Sequence, residues 1–209
     1  MHSHLTEEPR RIPRQQRGER RVAQLLEAAA VVIADAGYEG ATMSAIAERA
    51  GAPIGSLYQF FPSKEAITHA LRTEYGKDYE ALLMALGEHA KHLSLQALVG
   101  RLIGLSIRFV ESHPAFLPLL DAPLSTSPLS LRATLRVRLA DCLSAVDPDL
   151  ARNKSLRLAA VTLQMLKGLT QLYAEVAPRE GGDYVREYKL VLCGYLTARL
   201  VQGHREEKQ

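Results

Sequence analysis

Few side chains in this sequence stand at spacings that support chemistry. His89 and His92 lie three apart near a predicted helix end, with His113 further along. Helical histidines at i and i+3 can share a metal, but no cysteine or carboxylate stands at a matching interval. A surface or pocket role is expected for them, and no metal; His2 and His4 fall in a polar N-terminal stretch. Cys142 and Cys193 sit inside apolar helical patterns and read as small core residues, not as a disulfide. The chain has no G-x-S-x-G, phosphate loop or dinucleotide fingerprint. No catalytic residue and no cofactor is expected.

The stretch that does carry a chemical pattern runs from Thr42 to Phe61, TMSAIAERAGAPIGSLYQFF. Thr42 is placed to cap a short helix and to offer its hydroxyl to a phosphate. Ile46 and Ala47 supply an apolar face, with Ala47 small enough for two helices to cross closely. Gly51 permits the sharp turn that follows, and Pro53 suits a helix's first turn, where a missing N–H costs nothing. Leu57 and Phe61, four apart, anchor the second helix, while Ile54, Ser56 and Gln59 point outward. Gly55 removes a side chain where a DNA backbone could approach. Tyr58 offers a hydroxyl to a phosphate and Lys64 adds a charge to the same surface. The competing reading makes Tyr58 a half-buried core tyrosine in a helix pair that binds no DNA.

Around this stretch the chain is helical in character. Aromatic residues are 6% and tryptophan is absent, while Ala, Leu and Arg recur, residues that lose little freedom in a helix. Residues 1–18 lack periodicity and are expected to form a flexible arm. Six arginines between Pro9 and Arg21 face one acid, Glu19. Arg17, Arg20 and Arg21 are therefore candidates for phosphate or minor-groove contact, against the alternative of a merely solvated arm. Apolar residues from Val22 to Ile33 repeat at helical spacing, and Gly37 closes that helix. Ser63 is placed to cap a long helix through about Leu86. Further helices are expected over 95–112, 116–120, 129–145, 153–176 and 183–202, separated by prolines. The expected organisation is an arm (1–18), a helix-turn-helix domain (19–65) and a larger helical bundle (66–205), all-α with about nine helices in all. No apolar run is long enough to span a bilayer, so a cytoplasmic protein without membrane contact is expected.

Thr42, Ile46-Ala47, Ala50-Gly51, Gly55-Ser56-Leu57-Tyr58, Phe61 and Pro62-Ser63-Lys64-Glu65 together resemble the DNA-binding domain of TetR/AcrR-type regulators. The resemblance covers the run from Ala41 to Ile67 with the preceding helix; beyond it only size and helical pattern agree. It implies a homodimer, a nine-helix fold and a C-terminal domain that binds an inducer. It also implies DNA contacts from Thr42, Gly55, Tyr58 and Lys64. The sequence departs from the family pattern at Ala52-Pro53-Ile54. Pro53 cannot donate a hydrogen bond, and Ile54 can offer only an apolar contact, such as to a thymine methyl.

The expected function is a ligand-responsive repressor that binds a palindromic operator in double-stranded DNA as a dimer and is released by a small, largely apolar effector. A ligand-independent or architectural DNA-binding protein is the alternative, and a helical enzyme a more distant one. Arg101, Arg108, His113, Gln164 and Thr170 are the candidate polar groups of the effector pocket, which the stretch 121–130 would edge. The dimer is expected through the last two helices. Their apolar faces are Leu156, Ala159, Leu163, Leu166, Leu169 and Tyr173, and Tyr188, Val191, Leu192, Tyr195, Leu196 and Leu200. Gly168 and Gly194, costly mid-helix, are read as sites of close helix approach.

Overall fold

The computed structural model describes residues 14–122 and 131–206. Nine helices account for these: α1 (Arg14–Gly40), α2 (Met43–Arg49), α3 (Ile54–Phe60), α4 (Lys64–Ala90), α5 (Leu95–Ser112), α6 (Phe116–Asp121), α7 (Leu131–Val146), α8 (Arg152–Glu175) and α9 (Pro178–Glu206). Among the described residues there is no strand, and no helix is long and apolar enough to cross a membrane. Arg10 and Arg11 of the expected arm, and residues 123–130 of the expected pocket edge, lie outside the described residues.

Helix starts follow the side chains available to bind free N–H groups. Thr42, Ser63 and Ser94 each sit in extended backbone at an N-cap and accept from the amide three residues on, at 3.1, 3.3 and 3.2 Å. The first helix departs from expectation at both ends. It begins at Arg14, so residues 14–18 of the expected arm are its first turns. They lack apolar periodicity because they project beyond the core: Gln15, Gln16 and Arg17 are exposed. Gly37 has a positive φ (70°) but an extended ψ (174°), so it kinks the helix without the expected left-handed cap, and the chain resumes helical geometry as far as Gly40.

The N-terminal core is built by Leu25, Ala29 and Ile33 of α1, Ile46 and Ala47 of α2, Leu57 of α3 and Ile67 of α4, all buried. Helix α4 continues out of this cluster into the C-terminal bundle, where it packs on α5, α6 and α7. There α7 packs on α8, α8 on α9, and α9 on α5. The short helix α6 touches both α1 and α4, so it lies between the two parts. Aromatic rings join α4, α5 and α6: Tyr79 meets Phe109 edge-on at 4.8 Å between centroids, and Phe109 meets Phe116 at 4.9 Å.

Two buried acids in this core make stability depend on alkaline pH. Burial pushes the Cys142 thiol from 9.0 to about 11, and the Tyr79 phenol from 10.0 to about 12. The unfolded chain releases these protons first, so their contribution is complete below about pH 9 and is lost as pH rises toward about 12. Melting temperature should fall across that window, and Tyr79→Phe should flatten the fall above pH 10. An unchanged slope in the variant would refute the assignment.

Candidate nucleic-acid interface

The turn between α2 and α3 is held by the backbone itself. Gly51 adopts φ 57°, and the next amide, Ala52, donates to the Ala47 carbonyl at 2.9 Å. An L side chain at Gly51 would be strained there. Pro53 then acts as the N-cap of α3 (φ −57°, ψ 136°), one position earlier than a first-turn placement. It offers no side-chain cap, so its preset φ, not a hydrogen bond, sets the start.

Leu57 and Phe61 turn inward and hold α3 against the core. The opposite side is open. Ile54 is 43% exposed and Tyr58, one turn on, 50%; at i and i+4 they share a face. Gly55 and Gln59 are exposed and Ser56 is half-buried. A Cβ placed on Gly55 would meet no atom within 4 Å. Nothing inside the protein requires glycine there. Tyr58 is not a core residue. Thr42 is exposed at the base of the same unit, its side-chain oxygen already accepting from Ala45.

Lys64, at the start of α4, is half-buried and tied to the end of α1. Its Nζ donates to the Tyr38 carbonyl at 2.8 Å and to the Glu39 carbonyl at 3.3 Å, and lies 4.4 Å from the Tyr38 ring centroid. Tyr38 Oη donates to Glu65 at 3.4 Å. The ammonium thus binds the end of α1 to the start of α4, and two of its three protons are committed. Glu65, hydrogen-bonded by Ser63, titrates below the usual carboxylate range.

At the start of α1, Arg17 and Arg20 are exposed, while Arg21 is half-buried and donates to Gln24 at 3.5 Å. The sequence reading passed over Arg49, an exposed cation in the last turn of α2, because its helix continues a charged pair, Glu48-Arg49, that reads as solvated surface.

The C-terminal bundle holds a cavity of about 60 Å³ lined by Tyr79, Ser106, Phe116, Leu120, Leu135, Leu163 and Leu166, with Arg132, Gln164, Lys167 and Thr170 among its polar groups. Of the five polar residues expected in a pocket, Gln164 and Thr170 line it. Arg101 and Arg108 are exposed on the outer side of α5 and do not. His113 is stacked on Phe109 at 4.1 Å, with Nδ1 within 3.0 Å of the Phe109 carbonyl and Nε2 4.0 Å from Asp78. It belongs to a helix end, not to this cavity. Tyr79, Ser106, Arg132 and Lys167 were not foreseen, since which side of a bundle helix faces a void depends on its neighbours' positions. Among the described residues no group of three His, Cys, Asp or Glu could hold a metal.

A capped helix, a glycine turn and a second short helix with an open outer face define a helix-turn-helix protein. Residues 25–71 match the model for bacterial regulatory proteins of the tetR family, and residues 94–196 match that for the tetracyclin repressor-like C-terminal domain. The chain belongs to the TetR family of DNA-binding transcriptional regulators, which are not enzymes. Over 84 residues it is 34% identical to the HTH-type transcriptional repressor KstR of Mycolicibacterium smegmatis, covering 38% of this chain and 40% of that one. Over 59 residues it is 38% identical to KstR of Rhodococcus jostii, covering 28% and 26%. The chain thus matches less than half the length of these curated relatives. A TetR-family transcriptional regulator from Streptomyces coelicolor superposes with a TM-score of 0.63 at 25% identity, covering 86% of this chain and 99% of the other. The regulator FadR from Bacillus subtilis, solved with stearoyl-CoA, does so with a TM-score of 0.54 at 19% identity, covering 83% and 96%.

Proposed function

We propose that this protein is a cytoplasmic repressor that binds a palindromic operator as a homodimer and leaves it when a small, largely apolar effector enters the C-terminal cavity. The observation that carries the DNA-binding surface is the open face of α3, where Ile54 and Tyr58 are exposed around a glycine with no internal neighbour. Thr42, Pro53, Ile54, Gly55, Ser56, Tyr58 and Gln59 form the contact surface, with Arg17, Arg20 and Arg21 of α1 flanking it on phosphates. Lys64 acts mainly as a positioning residue and keeps one proton for a phosphate.

The homodimer reading rests on the outer faces of α8 and α9. Leu192, Leu196 and Leu200 face inward, but Leu190 is 70% exposed and Val191 52%, and on α8 Val161 is 38% exposed. A Cβ at Gly168 would meet Tyr188 Oη at 3.2 Å, so that glycine serves packing of α9 on α8 within the chain. A Cβ at Gly194 would meet nothing, which leaves room for a helix of a second copy. A two-fold pair would hold two α3 helices about 34 Å apart, one DNA turn.

The effector reading rests on the cavity and its wall. At about 60 Å³ it has space for roughly four waters, far below the roughly 300 Å³ or more of a ligand site. A ligand must therefore push a wall outward, and α6 supplies Phe116 and Leu120 to that wall. Arg72 of α4 reaches the end of the same short helix. Its Nε donates to the Leu119 carbonyl at 2.8 Å and its Nη2 to the Ala122 carbonyl at 2.6 Å. Displacement of α6 would thus be passed to α4, which begins beside α3, and would change the α3 spacing. Arg72→Met should leave effector affinity nearly unchanged while cutting the effector-induced loss of operator affinity at least about fivefold. Equal release in the variant, measured by anisotropy on a labelled operator, would remove Arg72 from the path.

The whole reading is tested by selecting binding sites from random DNA. A palindromic consensus, bound two chains per site and resistant to random competitor, is the expected result. Binding without sequence preference would point instead to an architectural protein.

A further inference from the structure

The open face of α3 is defined by what it lacks. From Ala50 to Ser63 the chain carries no charged residue. Guanine is read most often by an arginine or lysine that donates to both its O6 and N7, and cytosine by a carboxylate that accepts from its N4 amine. Neither kind of group stands on this helix. What it offers is an apolar side chain at Ile54, an amide at Gln59, and the hydroxyls of Ser56 and Tyr58. A hydroxyl both donates and accepts, so it suits any base.

Helix geometry arranges these groups. Residues two positions either side of a buried helical residue point away from it, so Gly55 and Gln59 form the outermost line of α3 around Leu57. Helical side chains lean toward the N-terminus of their helix. Gln59 therefore leans over Gly55, where even a Cβ would meet nothing within 4 Å. That is the end of a recognition helix that meets base edges. The Gln59 amide makes no hydrogen bond to another described residue. Ile54, the first residue of α3, flanks this line, and its β-branched side chain is stiff. Tyr58, one turn back on the side of Ile54, is left for a phosphate.

We propose that α3 reads A·T pairs in each half-site: Gln59 donates to N7 of an adenine and accepts from its N6 amine, and Ile54 packs on the 5-methyl group of a thymine. This rests on the reading of α3 as the helix that enters the major groove. An amide matches adenine with both of its atoms, whereas against guanine its oxygen faces only acceptors. An apolar side chain gains by burying a methyl and gains nothing from the bare polar edge of cytosine.

Chemically altered operators test this, built on the consensus selected from random DNA and measured by anisotropy at one salt concentration. Uracil in place of thymine removes only a methyl, and 7-deazaadenine in place of adenine removes only the N7 acceptor. At one thymine per half-site, uracil should weaken binding about fourfold, the value of one buried methyl, and about fifteenfold when both half-sites carry it. At one adenine per half-site, 7-deazaadenine should weaken binding about fivefold, the value of one net hydrogen bond. Ile54→Ala should erase the uracil effect and keep the other, and Gln59→Ala should do the reverse. Gln59→Arg should move the preferred base at the same position from adenine to guanine. Both residues are exposed, so melting temperature should hardly change. Uracil without effect at every thymine, either effect surviving its own variant, or half-sites of G·C pairs alone would overturn the assignment while operator binding stands. A selection that yields no consensus would take both.

Discussion

Replacing Gly55 by alanine should make the protein more stable and a poorer DNA binder at once. The stability gain follows from the helix: glycine inside a helix costs about 0.5–1 kcal/mol relative to alanine, and the added methyl meets no atom within 4 Å. Gly55 has an ordinary negative φ, so no left-handed geometry opposes the change. Melting temperature should rise by about 1–4 °C. The loss of DNA affinity follows if the DNA backbone comes close at this position: a methyl in each of two half-sites should weaken operator binding about tenfold. Gly55→Glu sharpens the contrast, since a carboxylate facing phosphates repels them. Operator affinity should then drop at least about a hundredfold, near 2.7 kcal/mol, with the fold intact. Thermal melts and salt-controlled anisotropy on the same samples separate the two effects. If Gly55→Glu leaves operator affinity unchanged, α3 does not present this face to DNA.

The second large effect is expected at the far end of the molecule. The pair Leu190→Glu and Val191→Glu should leave the subunit folded and convert the dimer to monomer. Both side chains are already exposed within one chain, so their change removes little from the intrachain core. Across a two-fold interface each would be buried twice, at about 1.5–3 kcal/mol per fully buried side chain, and the carboxylates would have to be desolvated. Sedimentation velocity at micromolar concentration should show monomer, with unchanged helical content. Operator binding should fall at least about a hundredfold, because a single recognition helix keeps little beyond the weak, salt-sensitive phosphate attraction. A dimer that survives both glutamates would move the interface off this face of α9.

These two surfaces differ in how far they were legible beforehand. Around α3 the local chain is nearly sufficient. Thr42 and Ser63 cap, Gly51 turns, and Leu57 and Phe61 anchor, each through bonds or angles made within a few residues. Their consequences could be read from type and spacing alone. Helix α5 was likewise legible to its ends, Leu95–Ser112, because a serine cap precedes it and Pro114 follows its close. The start of α1 was not. Arg14 to Gly18 carry no apolar signal, and their helix is an extension of one anchored further on by Leu25 and Ala29.

In the C-terminal bundle, periodicity marked helices but not their partners. The apolar set of α9 divides in the fold: Leu192, Leu196 and Leu200 are core, while Val191, one position from Leu192, faces solvent. Arg101 and Arg108 looked like pocket groups because they interrupt an apolar helix, yet they mark its outer side. Lys64 looked like a phosphate ligand and is largely committed to two carbonyls at the end of α1, a contact between residues more than twenty positions apart.

What the sequence by itself determined is the helix-turn-helix, its caps, its turn and its open face, since these depend on neighbours along the chain. Only the tertiary structure decided the cavity, the clamp of Arg72 on α6 and the exposed stripe of α9. Each of those arises where helices distant in sequence meet, and the hydrophobic effect that brings them together has no direction. Which groups then face a void is decided by the packing of all the helices at once.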